Sequence, residues 1–457
     1  MPLPRLHSVT ALFHGQGLRA LALRGAVWTV LGFGLSNLLR LGSSLALTRI
    51  LAPDIFGLMA LAMVFVTGLT LLSDVGTTAS VVRSDRGEDP SFLRTVWTVQ
   101  VLRGFLIAAI ACLAAWPLSQ LYGEPVLFPL ICVLALTPAI KGFQSVSLAV
   151  HTRKMDVFRL TVLTTTVQAV TIGITVAMAF VLESVWALAL GTIAGSLLTV
   201  AMSHVFLSRF AHRFSLERDA VREIIRFGRW ILLGTLCTYV GSQGAQALQG
   251  ALVPLDVLGL IAIAMLMGGL PGQLMLKILG AVAFPTFSRI RREEPERLGA
   301  VLLKVRVVIL CITFPLFFGL ALLAQPIIDL LYDPRYAAAG FILALLLAED
   351  AISALSAPYQ NLLLADGNSR AHALVMGFWA LARSTGLFVG FSIAGMAGML
   401  AGMAIGSALM FLLSASIAWR NGYASKLLDL ATLAAGTAFY IYIFLGMEVP
   451  PQLSQIG

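Results

Sequence analysis

Eight ionisable side chains interrupt long apolar runs: the bases Arg40, Arg103, Lys141, Lys277 and Arg383, and the acids Asp74, Glu349 and Asp350. An ionisable group at the centre of a lipid-facing helix costs at least about 2.5–3.5 kcal/mol, so such residues face a cavity, pair with one another or reach an interface. Arg40 and Arg383 lie too deep in their runs for easy escape, whereas Arg103, Lys141 and Lys277 lie nearer the ends, and snorkelling is a real alternative for Lys141. Five bases against three acids make a shared cavity net positive, which suits an anion, and phosphates are the natural candidates. Adjacent helical residues point about 100° apart, so Glu349 and Asp350 cannot both meet one partner. One is expected to neutralise a base; the other is free for water or a proton. Polar side chains add to this set: Ser36 and Asn37 precede Arg40, and Gln243 and Gln246 share a helix face at i, i+3 spacing. They serve either as helix–helix glue or as the lining of a hydrophilic pathway.

These residues are positioned by a chain that is 59% hydrophobic and 12% charged, with a mean hydropathy of +0.92. Soluble domains run near 25% charged, so soluble enzymes, nucleic-acid binders and disulfide scaffolds are excluded. A spanning helix needs about 20 apolar residues. Thirteen candidate spans have cores near 26–48, 56–80, 93–117, 126–149, 158–181, 185–207, 226–247, 256–285, 300–323, 337–364, 371–392, 396–418 and 426–446. Irregular backbone cannot face lipid, and the alternation of a membrane barrel is missing, so these are expected to be helices.

Of the 31 Lys and Arg residues, 24 fall at the N-terminus and in the even-numbered loops, two (Arg49 and Arg335) in the odd-numbered ones, and five inside spans. Such a split supports the span count and places the N-terminus in the cytoplasm. Most of the +9 net charge therefore reports topology and attraction to anionic headgroups, not a polyanionic partner. Residues 1–24 carry His7, His14 and three Arg, which suits a surface amphipathic helix better than a cleaved signal. Cys112, Cys132, Cys237 and Cys311 all fall in spans, as small apolar fillers do.

The chain also repeats. Arg24-x-x-x-Trp28 recurs as Arg226-x-x-x-Trp230; Pro53 and Gly57 align with Pro254 and Gly259; Glu88-Asp89-Pro90 aligns with Glu293-Glu294-Pro295. A unit of six spans is even, so the halves share one orientation, an architecture of secondary transporters. The expected fold is all-α and polytopic: two parallel-repeat six-helix lobes around a central cavity, plus about one further C-terminal helix. Its parts are a cytoplasmic N-terminus (1–24), an N-lobe (25–210, spans 1–6), a C-lobe (211–420, spans 7–12) and an appended span and tail (421–457). Asp74 lies 17 residues past Gly57 and Lys277 18 past Gly259. The repeat thus sets an acid almost opposite a base, as a structural salt bridge or as a gate. No Walker loop, HExxH or CxxC is present, the six His lie outside the helix centres, and the exterior loops are short. Direct use of ATP, metal chemistry and a transferase or polymerase active site are not expected.

The segment LTRILAPDIFGLMALAMVFVTGLTLLSDVGTTASVVRS (47–84) resembles the first part of the Wzx-type oligosaccharide flippases, in the multidrug/oligosaccharidyl-lipid/polysaccharide exporter superfamily. AFPTFSRIRREEPERL (283–298) and APYQNLLLADGNSR (357–370) are similar to that family's exits from spans 8 and 10. The resemblance implies a transporter, not an enzyme. It would carry undecaprenyl-pyrophosphate-linked oligosaccharide across the bacterial inner membrane for exopolysaccharide, capsule or O-antigen assembly. Alternating access is expected, coupled to H+ or Na+, with no bound cofactor and no nucleic acid. Membrane lipids and a polysaccharide polymerase or co-polymerase are the expected partners. Arg40, Lys277 and Arg383 would hold the pyrophosphate with support from Arg103. Asp74, Glu349 and Asp350 would serve gating or ion coupling, and Asn37, Gln243 and Gln246 would line the path. A cation-coupled multidrug exporter and a peptidoglycan-precursor flippase of the same superfamily are the alternatives. The first would want an acid-dominated cavity.

Overall fold

A computed structural model describes residues 18–73, 76–154, 156–207, 210, 212–226, 239, 243–366 and 368–454, and these are almost wholly helical, with no strand among them. A helix satisfies its own backbone donors and acceptors, which is what an apolar segment in lipid requires. Among the described residues ten helices are long and apolar enough to cross a bilayer. The chain is a multi-pass membrane protein, and its all-helical class is the one expected.

The order is α1 (Leu18–Ile50), α2 (Pro53–Leu72), α3 (Thr77–Arg83), α4 (Pro90–Tyr122), α5 (Leu127–Gly142), α6 (Ser147–Arg153), α7 (Val157–Leu182), α8 (Val185–Val205), α9 (218–226), α10 (Ala245–Leu252), α11 (Leu255–Glu293), α12 (Leu298–Leu322), α13 (Ala324–Leu331), α14 (Ala339–Ala354), α15 (Ala357–Ala365), α16 (Ser369–Arg420) and α17 (Lys426–Gly446). Most of span 7 lies outside the described residues.

Among the described residues, three apolar stretches depart from plain rods. The apolar run 56–80 divides at Ser73, and α3 restarts after Gly76, whose φ of 63° favours glycine. Span 4 bends by 63° between α5 and α6. There the freed carbonyls are met by side chains: Gln100 Nε2 donates to Lys141, Gly142 and Gln144 oxygens at 3.1–3.2 Å, and His204 Nε2 contacts Phe143 O at 2.9 Å. Finally, α16 is a hairpin whose turn, Ala394–Gly395, has non-helical dihedrals. Its arms meet backbone to backbone at Gly390 with Gly398 and Gly386 with Gly402, pairs symmetric about the turn. The gap between expected spans 11 and 12 falls at this point.

The chain forms two compact units, Met1–Ile50 with Phe65–Thr235 and Leu51–Val64 with Leu236–Gly457. In the first, α1 runs along α7, with Trp28 on Phe158 (ring centroids 4.7 Å) and Gln168 Nε2 donating to Ser36 O at 2.8 Å. At its basic end, Arg153 donates to the Val81 and Val82 carbonyls at 3.0 and 3.2 Å, tying α6 to the end of α3. Asp89 caps α4 by accepting from Ser91 N at 3.1 Å, with Pro90 at the first helical position. Arg86 bonds to both Asp89 and Glu217 at 2.8 Å, and the bonds from Arg86 and from Ser91 hold the Asp89 carboxyl down to about 2.

In the second unit the repeat becomes geometry. A Cβ on Gly57 would collide with the Leu255 carbonyl, and one on Gly259 with the Pro53 carbonyl, each also reaching the other glycine's amide nitrogen at 3.0–3.2 Å. The aligned glycines thus mark a reciprocal crossing of α2 and α11. Gly57→Ala and Gly259→Ala should each destabilise by about 1–3 kcal/mol and by similar amounts, because each forces the same two backbones apart. Thermal unfolding checks this against Gly42→Ala, whose added Cβ would meet nothing within 4 Å. Unequal losses would break the symmetry.

Candidate functional site

The five intramembrane bases are not equivalent. Arg40 follows Trp28, Gly32 and Ser36 on the i, i+4 stripe of α1 that lies along α7. It is exposed at the protein surface and makes no hydrogen bond or ion pair among the described residues. Beside it, half-buried Asn37 gives its amide N–H to Phe33 O at 2.8 Å. Ser36 meets Gln168, a polar residue of span 5 that the sequence reading passed over; its place in the Thr-rich stripe 161–175 was the available signal.

Arg103 is committed elsewhere. Its Nη2 donates to Thr70 O at 2.7 Å and its Nε to Ser73 Oγ at 3.1 Å, so it closes the open carbonyl end of α2 where the span breaks. Asp74, one residue further, lies outside the described residues. Lys141 and Lys277 are both exposed, Lys141 on the last turn of α5 and Lys277 on α11.

In the second unit Arg383 is bound to Glu349, Nη2 to Oε2 at 3.1 Å, and packs over the Trp379 ring at 5.4 Å. The other oxygen of Glu349 accepts from Ser407 Oγ at 2.5 Å. Glu349 is buried, whereas half-buried Asp350 makes no hydrogen bond or ion pair among the described residues. The neighbours divide as their angular separation requires: Glu349 neutralises the base and Asp350 is left open. Gln243 sits in a π-helical turn leading into α10, Gln246 one turn on, and both are half-buried. The fully buried Gln249 contacts Met403 Sδ at 3.5 Å and leaves its carbonyl oxygen without a partner.

A second buried pair is absent from the eight residues picked by sequence. Arg306 is a loop base in the charge count, but α12 begins at Leu298, and Arg306 lies inside it, 5% exposed, ion-paired with the fully buried Asp429 of α17. Tyr359 Oη donates to Asp429 at 2.7 Å and Trp419 Nε1 at 2.5 Å. The capping sequence Glu293-Glu294-Pro295 signalled where α12 starts, and hence how deep Arg306 lies. No cluster of three or more metal-ligating side chains occurs among the described residues.

The chain resembles the succinoglycan biosynthesis transport protein ExoT of Rhizobium meliloti (strain 1021), 24% identical over 338 residues, covering 74% of this chain and 67% of ExoT. It also resembles the lipopolysaccharide biosynthesis protein WzxC of Escherichia coli (strain K12), 25% identical over 361 residues, covering 77% of this chain and 71% of WzxC. Among solved structures, the lipid II flippase MurJ in an inward closed conformation shares the fold, with a TM-score of 0.67 at 12% identity and 93% of each chain covered. The model of the family described as polysaccharide biosynthesis protein matches residues 46–339, across the broken second span, the reciprocal glycine crossing and the start of α14. The chain belongs to that polysaccharide biosynthesis family.

Proposed function

We propose that the chain is a flippase carrying polyprenyl-pyrophosphate-linked oligosaccharide across the bacterial inner membrane for exopolysaccharide, capsule or O-antigen assembly. Its lobes follow the six-span repeat, 25–210 and 211–420, with the N-terminus and the even-numbered loops in the cytoplasm. A polysaccharide polymerase is the natural neighbour in such a system. The named relatives act in succinoglycan and lipopolysaccharide biosynthesis, which favours this reading over drug export. The observation that carries it is Arg40, an intramembrane cation with no counter-charge among the described residues. Such a residue faces water or an anionic ligand, and a pyrophosphate supplies the strongest complement.

Arg103 and Arg383 already have partners, so they act as supports: Arg103 fixes the end of α2, and Arg383 would meet the pyrophosphate only by giving up Glu349. Asp350 is the open acid and the candidate for ion coupling; Asp74 and Glu349 serve gating. Arg40→Ala is expected to reduce outer-leaflet delivery of lipid-linked sugar at least ~10-fold, the loss of one charge-assisted phosphate contact. Lys277→Ala should reduce it as well. Unchanged delivery in both variants, at equal protein levels, would defeat the reading.

A further inference from the structure

Before span 7 the chain runs over the basic end of the first unit as a docked strap. Ser215 N donates to Thr98 Oγ1 at 3.0 Å, Glu217 N to Thr95 Oγ1 at 3.2 Å, and Arg86 grips Glu217. Next, α9 buries Ala220 and Ile224 among Val81, Phe92, Leu93 and Val96. Those two residues define one face of the helix. Arg218, Arg222 and Arg226 follow one another at i, i+4 and i+8 on a face about 180° away, and all three are exposed. Flanking them are apolar side chains that remain largely exposed: Phe214, one side of whose ring meets Trp97 at 4.9 Å, is 65% exposed, Leu216 58% and Ile225 57%. Among the described residues, the ion pair these three arginines make is Arg222 with Asp219 at 3.4 Å, both about four-fifths exposed, and it is worth little in water.

A water-facing strap gains little from three apolar side chains that each leave more than half of their surface exposed. A cationic stripe edged by apolar groups is the composition of an element lying at the bilayer interface. We propose that the 212–226 strap is a binding site for anionic phospholipid headgroups, with the arginine stripe on the phosphates and Phe214, Leu216 and Ile225 entering the acyl boundary. The site is separate from the intramembrane bases. Docking through Arg86, Thr95 and Thr98 holds the stripe in place, so lipid charge bears on the segment that leads into span 7.

The test uses the full-length chain in phosphatidylcholine nanodiscs, with affinity for fluorescent phosphatidylglycerol measured for the wild type and for R218Q/R222Q/R226Q. These side chains point away from the docked face, so the fold should survive. The triple variant is expected to bind phosphatidylglycerol at least ~10-fold more weakly, because it loses three cations held at the anionic surface. Affinity for phosphatidylcholine should not change, and wild-type binding should weaken with salt. Equal phosphatidylglycerol affinity in the two proteins would overturn the proposal, as would wild-type binding indifferent to salt. Farnesyl pyrophosphate serves as a third probe: a variant that loses only this ligand would make the stripe a substrate contact and overturn the lipid site. Because the wild-type salt dependence needs no mutation, the proposal stays open to refutation even if the triple variant misfolds. Failure of Arg40→Ala to alter transport would leave this test untouched.

Discussion

Asp429→Ala is expected to destabilise the protein by about 3–5 kcal/mol, the cost of stranding one member of a buried ion pair. Three donors converge on this carboxylate: the Arg306 guanidinium, Tyr359 Oη and Trp419 Nε1. Alanine removes the acceptor for all three, and Arg306 is then a cation at 5% exposure that faces the Tyr359 ring 5.2 Å away and no other carboxylate among the described residues. Asp429→Asn should lose less, since an amide oxygen still accepts from one neighbour although the charge is gone. The double change R306M/D429L should recover most of the stability, because a well-packed apolar pair avoids desolvating two ions. Thermal unfolding of the purified protein ranks the three. If the double variant were as unstable as Asp429→Ala, the pair itself, and not the stranded charge, would be the source of stability. The network also places α17. Its first turn carries Asp429, and the donors come from α12, α15 and α16, so the appended helix is fastened into the second unit at its basic end.

The same residues explain what a single sequence can and cannot tell. Apolar run length, charge alternation between loops and the six-span repeat are properties of the chain alone. From them the helical class, the hairpin turn near 394 and the equivalence of Gly57 and Gly259 could be read directly. The division between Glu349 and Asp350 was legible as well, because helix geometry forbids a shared partner. Partner choice was not. Arg40, Arg103 and Arg383 look alike in sequence, each a guanidinium inside an apolar run, Arg103 nearer its end than the other two. Only tertiary structure shows that Arg103 reaches the broken end of α2, that Arg383 reaches Glu349 and that Arg40 meets no hydrogen-bond or ion-pair partner among the described residues. Arg306 was misread for a different reason: a basic residue near a span end looks like a topology signal until the helix start is fixed. The breaks in spans 2 and 4 were hidden because apolar composition continues across them, while the groups that satisfy the freed carbonyls, Arg103, Gln100 and His204, come from other helices.

The Glu349–Arg383 pair leads to the second large effect and separates a support role from direct ligation. Glu349→Ala should cost about 3–5 kcal/mol, since Arg383 is 13% exposed at its side chain and its Nε already lacks a partner. The Trp379 face remains, yet a cation–π contact contributes only about 0.5–2 kcal/mol and cannot replace a carboxylate. Asp350→Asn, one residue on, should leave stability nearly unchanged, because that carboxylate has no hydrogen-bond or ion-pair partner among the described residues that would be stranded. On the proposed role its effect falls on transport, because an acid that takes up a coupling proton cannot be replaced by an amide. The expected signature is therefore crossed, with Glu349→Ala lowering the unfolding temperature and Asp350→Asn lowering flux in a protein of normal stability. Equal thermal losses in the two variants would mean that Asp350 is also a packed structural carboxylate. Normal flux with Asn at 350 would remove it from ion coupling. If E349L/R383M restores stability but not transport, Arg383 has a role beyond balancing Glu349, and exchange of its carboxylate for the substrate's pyrophosphate becomes the direct explanation.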